Sequence, residues 1–243
     1  MIAGRQGVEA VLRASLVHVP ENAFSLAAIR KTLLKQQQHN AADVERALSV
    51  LFPGPDPAPT SAPRRLFQAW DDRATMHVNG VFEEKEKNSM DVTVQWLCDR
   101  LAYNDPVRPH LLPVLKLLTS DALFPNIPYF ACLPLSFRLP NPGPVMARAA
   151  QIADDACNTT GLVSAKGIEW YATRSRLAFA YVASELVYAT QLDLSTESVA
   201  DLLKRIVYTP GAYELGNHGM RSIHQWAEWG GRGWLGILRS WNL

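Results

Sequence analysis

The chain has 243 residues, 48% of them hydrophobic, and a formal net charge of +1. That is enough apolar chain for one generous domain or two small ones, and the near-neutral charge excludes a nucleic-acid binder or membrane anchor that works through a strong basic field. Cys98, Cys132 and Cys157 lie far apart with no C-x-x-C, which disfavours a disulfide framework or zinc ribbon and fits a reducing compartment.

Val8 to Val19 reads as a first helix, with Val8, Val11, Leu12, Leu16 and Val19 on one stripe, and Pro20 blocks its extension. Ser25 is placed to cap a second helix whose apolar face carries Leu26, Ile29 and Leu33. After a polar break at Gln36 to Asn40, Ala41 to Phe52 reads as a third. It offers one arginine, Arg46, countered by Asp43 and Glu45, a poor match to a phosphate backbone. The three helices therefore read as structural. Residues 53–63 hold five prolines and read as an extended linker.

Arg64 to Met90 has the pattern of a charged amphipathic helix with Leu66, Trp70, Ala74, Val78 and Val81 on its core side, carrying a solvated charged run at Glu83 to Lys87. Asp91 to Tyr103 follows, with Val92, Val94, Trp96, Leu97 and Leu101 as its apolar set, and His110 to Leu118 makes a short apolar helix. From Ala122 to Val145, the side chains of Phe124, Ile127, Tyr129, Phe130, Leu133 and Leu135 are interleaved with Pro125, Pro128 and Pro134. Proline-broken backbone fills space less compactly than a straight helix, so these side chains either line a cavity or form an irregular core loop. Val145 to Cys157 returns to helix with a close-packed face of Ala147, Ala149, Ala150, Ile152 and Ala153, and Asp154-Asp155 reads as solvated or as holding a partner loop.

Ile168 to Leu194 lacks Gly and Pro and reads as the central core helix. Trp170, Arg174, Leu177, Tyr181, Glu185 and Tyr188 share one side; Ala172, Phe179, Val182, Ala183 and Leu186 share the other. Trp170 and Tyr171 point about 100° apart, so both are buried only if each direction is covered. Trp, Tyr and Arg are the residues most enriched at binding hot spots. Glu169 and Glu185 read as surface or capped carboxylates rather than general bases. Ser195 is set to cap a helix from Thr196 to Tyr208, with Glu197 and Asp201 early and Lys204 and Arg205 late, as the helix dipole favours.

The tail is rich in tryptophan. Ile223, Trp226, Trp229, Trp234, Ile237, Leu238 and Trp241 share one broad helical face. Tryptophan prefers the membrane interface, so the tail reads as an amphipathic helix lying on a membrane, or one docked on its own domain or a second copy. The six histidines are scattered, and E-x-x-H, H-E-x-x-H and G-x-S-x-G are absent, so the chain reads as a non-enzyme with no cofactor and no metal.

The order Trp170-Tyr171, Arg174, Glu185-Leu186-Val187, Asp193, Ser195, then Leu202, Arg205 and Ile206, resembles the C-terminal half of the coenzyme-Q (ubiquinone) biosynthesis accessory lipid-binding proteins, the COQ-nine type. Val19, Pro20 and Phe24, and Asn126-Ile127-Pro128, are similar to that family's earlier segments. The resemblance runs from about Val8 to Ile206. It implies an all-α, TetR-like helical bundle: a helix-turn-helix-like part at 1–52, a linker at 53–63, a lipid-binding core at 64–219 and an amphipathic tail at 220–243. It implies an isoprenoid, quinone or phospholipid ligand, with Phe124, Ile127, Tyr129, Phe130, Leu133, Leu135, Phe179 and Val182 as lipid contacts. It also implies docking on the di-iron demethoxyubiquinone hydroxylase through Trp170, Tyr171, Arg174 and Leu101, at the matrix face of the mitochondrial inner membrane, without nucleic acid; a homodimer stays open. The competing readings are a TetR-type transcriptional regulator with an apolar effector pocket and a metal-dependent helical-bundle enzyme.

Overall fold

The first helix, α1 (Ile2–Ser15), starts upstream of the first apolar stripe and passes through a 3-10 turn (Leu16–His18) into the short α2 (Val19–Asn22). Pro20 occupies the opening turn of α2, where its missing N–H would be unpaired anyway. It therefore starts a helix here instead of only ending one. The chain then turns at Ala23, whose φ of 57° lies in the left-handed region. The computed structural model describes residues 2–37, 41–54, 56, 58–82, 88–120, 141–162 and 168–209, with side chains except at 2–6, 36, 37, 41 and 168.

The remaining helices are α3 (Leu26–Gln37), α4 (Ala41–Leu51), α5 (Ala62–Phe82), α6 (Met90–Ala102), α7 (Arg108–Thr119), α8 (Gly143–Thr160), α9 (Ile168–Thr190) and α10 (Thr196–Tyr208). The protein is all-α, and no strand occurs among the described residues. Ser25 precedes α3 as its position suggests, but its hydroxyl donates to the Asn22 carbonyl at 2.6 Å. The helix expected from Arg64 to Met90 is shorter: α5 ends at Phe82, and Met90 opens α6 behind Ser89, whose hydroxyl accepts from the Asp91 N–H at 3.2 Å. The run Glu83 to Lys87 lies outside the described residues.

By their internal contacts the residues form two compact units, Met1–Ala74 with Pro113–Val145, and Thr75–Leu112 with Met146–Leu243. In the first, α3 packs against α1 and α4. Leu12, Leu16, Val19, Ala28, Ile29, Leu33, Val44 and Leu48 are buried there. The Phe24 ring stands edge-on to Phe67 (centroids 5.1 Å apart) and to Trp70 (6.2 Å), a geometry that matches ring edge to ring face. The Arg64 guanidinium donates to the Leu117 carbonyl at 2.8 Å. On α4, Arg46 pairs with Asp43 of its own helix.

In the second unit α9 packs against α10 and α6, and α10 against α6. α6 buries Val94, Trp96, Leu97 and Leu101, and α10 buries Val199, Leu203, Ile206 and Val207. The Trp96 indole N–H donates to the Asn79 side-chain oxygen at 3.0 Å, which also accepts from the Thr159 hydroxyl at 2.9 Å. Phe82 is buried and Val81 is 47% exposed, so α5 turns a different residue inward at its end than the sequence pattern suggests.

The α8 face is also shifted. Ala149, Ile152, Ala153, Ala156 and Cys157 are buried, but Ala147 and Ala150 are exposed. Alanine is too weakly apolar to fix a face, and Val145, Ile152 and Cys157 set it instead. α8 ends at Gly161, with φ of 66°. There the Leu162 N–H reaches the Cys157 carbonyl (2.9 Å) and the Gly161 N–H the Asn158 carbonyl (3.3 Å). These are the two bonds of a Schellman ending, and they need the left-handed backbone that glycine adopts freely. α10 starts as its sequence indicates, with the Ser195 hydroxyl accepting from the Ser198 N–H at 3.1 Å.

Candidate functional site

The second unit carries two polar constellations, one exposed and one buried. The exposed one begins on the first turns of α9. Trp170 is 37% exposed and Tyr171 67%. Their rings meet edge to face, centroids 4.7 Å apart and planes at 77°. One turn on, the Arg174 guanidinium carbon lies 3.8 Å from the centre of the Trp170 ring. The Arg174 Nε–H donates to Asp154 Oδ1 at 2.7 Å, and the other oxygen of Asp154 accepts from the Asn158 amide at 3.1 Å. Asp154 is thus engaged with α9 of its own chain, a role its sequence position did not indicate.

The geometry of these groups is that of a braced aromatic surface. The guanidinium is flat, so its edge can reach a carboxylate while its face covers an indole. Arg174 is only 13% exposed at its side chain, and what it leaves facing solvent is aromatic area. Such area, on side chains with few rotatable bonds, is what binding surfaces use as anchors. Glu169 is exposed beside the pair.

Of the other residues expected at sites, Leu101 is fully buried and takes no part in this surface. Its place in the helical period of α6, with Val94 and Leu97, turns it into the core. Val182 is buried and Phe179 half-buried on α9. Phe124, Ile127, Tyr129, Phe130, Leu133 and Leu135 lie outside the described residues, as do the tail residues Ile223, Trp226, Trp229, Trp234, Ile237, Leu238 and Trp241.

The buried constellation is centred on Glu185, for which the sequence left a surface or a capped carboxylate open: it is fully buried and bonded on both oxygens. Arg148 of α8 holds it with two bonds, Nη1 to Oε2 at 2.5 Å and Nη2 to Oε1 at 2.9 Å. The Tyr181 hydroxyl and the Asn104 amide also donate to Oε1, at 3.3 and 3.4 Å. A buried charge needs a partner and satisfied lone pairs, and here both are supplied. The sequence does hold a signal for this: a Glu spaced four from Tyr181 on an apolar face requires a cation, and Arg148 is the basic residue of an otherwise small-residue helix.

Tyr188, one turn on, donates to Asp105 Oδ1 at 2.6 Å. The guanidinium of Arg108 lies 4.1 Å from its ring centre and donates to the Tyr188 and Gln191 carbonyls at 3.0 and 2.7 Å. This closes the C-terminal end of α9. Cys98 and Cys157 are free thiols in the interior, and burial pushes the Cys98 pKa up to about 11, so neither resembles an activated nucleophile. Among the described residues no group of three or more His, Cys, Asp or Glu side chains is placed to hold a metal ion, and no helix is long and apolar enough to cross a membrane.

Among the described residues the longest helix, α9, is thus pinned by a buried ion pair and displays a braced aromatic pair at its start. Residues 144–209, which run from α8 through α10 and include the exposed constellation and the Arg148–Glu185 pair, match the COQ9 family model. The match is confined to that C-terminal segment of the chain. No curated protein matches the chain. The matched family is one of ubiquinone biosynthesis.

Proposed function

We propose that this chain is a lipid-binding accessory protein of ubiquinone biosynthesis. It binds an isoprenoid, quinone or phospholipid ligand and presents it to the di-iron demethoxyubiquinone hydroxylase at the matrix face of the mitochondrial inner membrane. The observation that carries the reading is the exposed, braced Trp170–Tyr171 pair inside the COQ9 match. In this reading the pair docks on the hydroxylase. The lipid is held by the proline-broken segment around Phe124 to Leu135 with Phe179 and Val182, and the tryptophan-rich tail rests on the bilayer. A polyprenyl chain gains little on passing from one apolar medium to another, so exchange between bilayer and protein is reversible.

Two measurements test it. Mass spectrometry of lipid extracted from the purified full chain should find isoprenoid or phospholipid, and recovery of neither would overturn the carrier reading. Tyr171→Ala and Trp170→Ala should each weaken capture of the hydroxylase about 30-fold or more, the scale of a binding hot spot. Tyr171→Ala should leave the melting temperature unchanged, because the ring is two-thirds in solvent. Unaltered capture by both variants counts against the docking surface.

A further inference from the structure

We infer that Asp154 is a positioning residue for the aromatic surface: from α8 it holds the Arg174 guanidinium as the plate on which the Trp170 ring rests. The inference rests on reading Trp170 and Tyr171 as a docking surface. The observations form an unbroken series. The Asn158 amide donates to Asp154 Oδ2 at 3.1 Å, Arg174 Nε–H donates to Asp154 Oδ1 at 2.7 Å, the guanidinium lies 3.8 Å from the Trp170 ring centre, and that ring meets Tyr171 at 4.7 Å.

An exposed aromatic pair on the first turn of a helix is ordinarily free to change rotamer. The cost of fixing it on binding then subtracts from affinity. Here the plate is fixed before any partner arrives. Both carboxylate oxygens of Asp154 are occupied, so the carboxylate cannot swing away from Arg174 without losing Asn158. The guanidinium meets the carboxylate through its Nε and the indole with its face, while its buried Nη1 has no hydrogen-bond partner among the described residues. The Asp154 side chain is 45% exposed but both its oxygens are bonded within the chain, so the Trp170 indole resonance, and not affinity alone, reads its positioning role.

The experiment uses the full chain with Asp154→Ala, Asp154→Asn and Arg174→Lys, and compares them with Tyr171→Ala. Three readouts are taken: melting temperature, the indole N–H resonance of Trp170 (assigned with Trp170→Phe), and affinity for the di-iron hydroxylase. Asp154→Ala and Arg174→Lys should shift and broaden the Trp170 resonance and weaken capture about 3- to 10-fold, the scale of one freed side chain. Asp154→Asn, which keeps an oxygen for Arg174, should lie between these and the unmodified chain. A resonance and an affinity that do not move in Asp154→Ala would overturn the inference, whatever happens to melting. If Asp154→Ala fails to fold, Asp154→Asn and Arg174→Lys carry the same comparison at conserved volume. If Tyr171→Ala leaves capture intact while Asp154→Ala still moves the indole resonance, the docking reading fails and the positioning of Trp170 stands.

Discussion

At the scale of single residues, the buried pair Arg148–Glu185 is where a small change should do most harm. Glu185→Ala leaves a guanidinium that is only 11% exposed without its counter-charge, and breaking such a pair costs about 3–5 kcal/mol. Urea unfolding should show this loss, and the double variant Arg148→Met, Glu185→Leu should lose less, since no charge is stranded. Tyr188 supplies a pH signature. Burial first, then its bond to Asp105, raise its pKa from 10 to about 12, and Tyr208 is raised to about 12 in the same way by burial and Asp91. Below pH 10 both folded and unfolded chains keep these protons. Between about 10 and 12 the unfolded chain releases them first, so stability is whole below that window and falls as pH rises through it. Tyr188→Phe should reduce that slope, and the double change with Tyr208→Phe should flatten it further, as read from denaturation midpoints across alkaline pH.

Among the elements, α8 shows how a helix is stopped with its end in register. Gly161→Ala keeps the chain but forces a Cβ into left-handed backbone, which costs roughly 1–2 kcal/mol. Melting should fall accordingly, and protection of the amides at Gly161 and Leu162 from hydrogen exchange should drop before that of mid-helix amides. Elements with strong local signals were legible in the sequence. α10 begins at Ser195 and α4 at Ala41 because a cap or a break marks each, and the apolar core of α6 follows its period. Where the signal was weak, tertiary contacts decided. The alanines of α8 could not show which of them face inward. Val81 lost its buried place to Phe82. For Glu185 a helical projection shows which residues share a side, and only the fold brings Arg148, 37 positions upstream, to meet it. The divergence of Trp170 and Tyr171 was legible, because adjacent aromatics on one helix point about 100° apart; that both stand partly in solvent was not. Asp154 as the brace was not, since the spacing of 20 positions to Arg174 carries no local pattern.

Over the molecule as a whole, α9 divides its work along its length. From Leu177 onward its inward residues are held in the interior of the second unit, while its opening turn stands in solvent. Under the proposed docking reading, stability and partner capture fall to different ends of one helix, and variants at one end should leave the other property largely alone. The neutralisation of Arg174 by Asp154 has a consequence for how any association behaves thermodynamically. With its cation already matched inside the chain, the surface meets a partner through ring carbon more than through charge. Added salt should therefore change the dissociation constant little. A calorimeter should instead record a negative heat-capacity change on complex formation, the mark of apolar area leaving water.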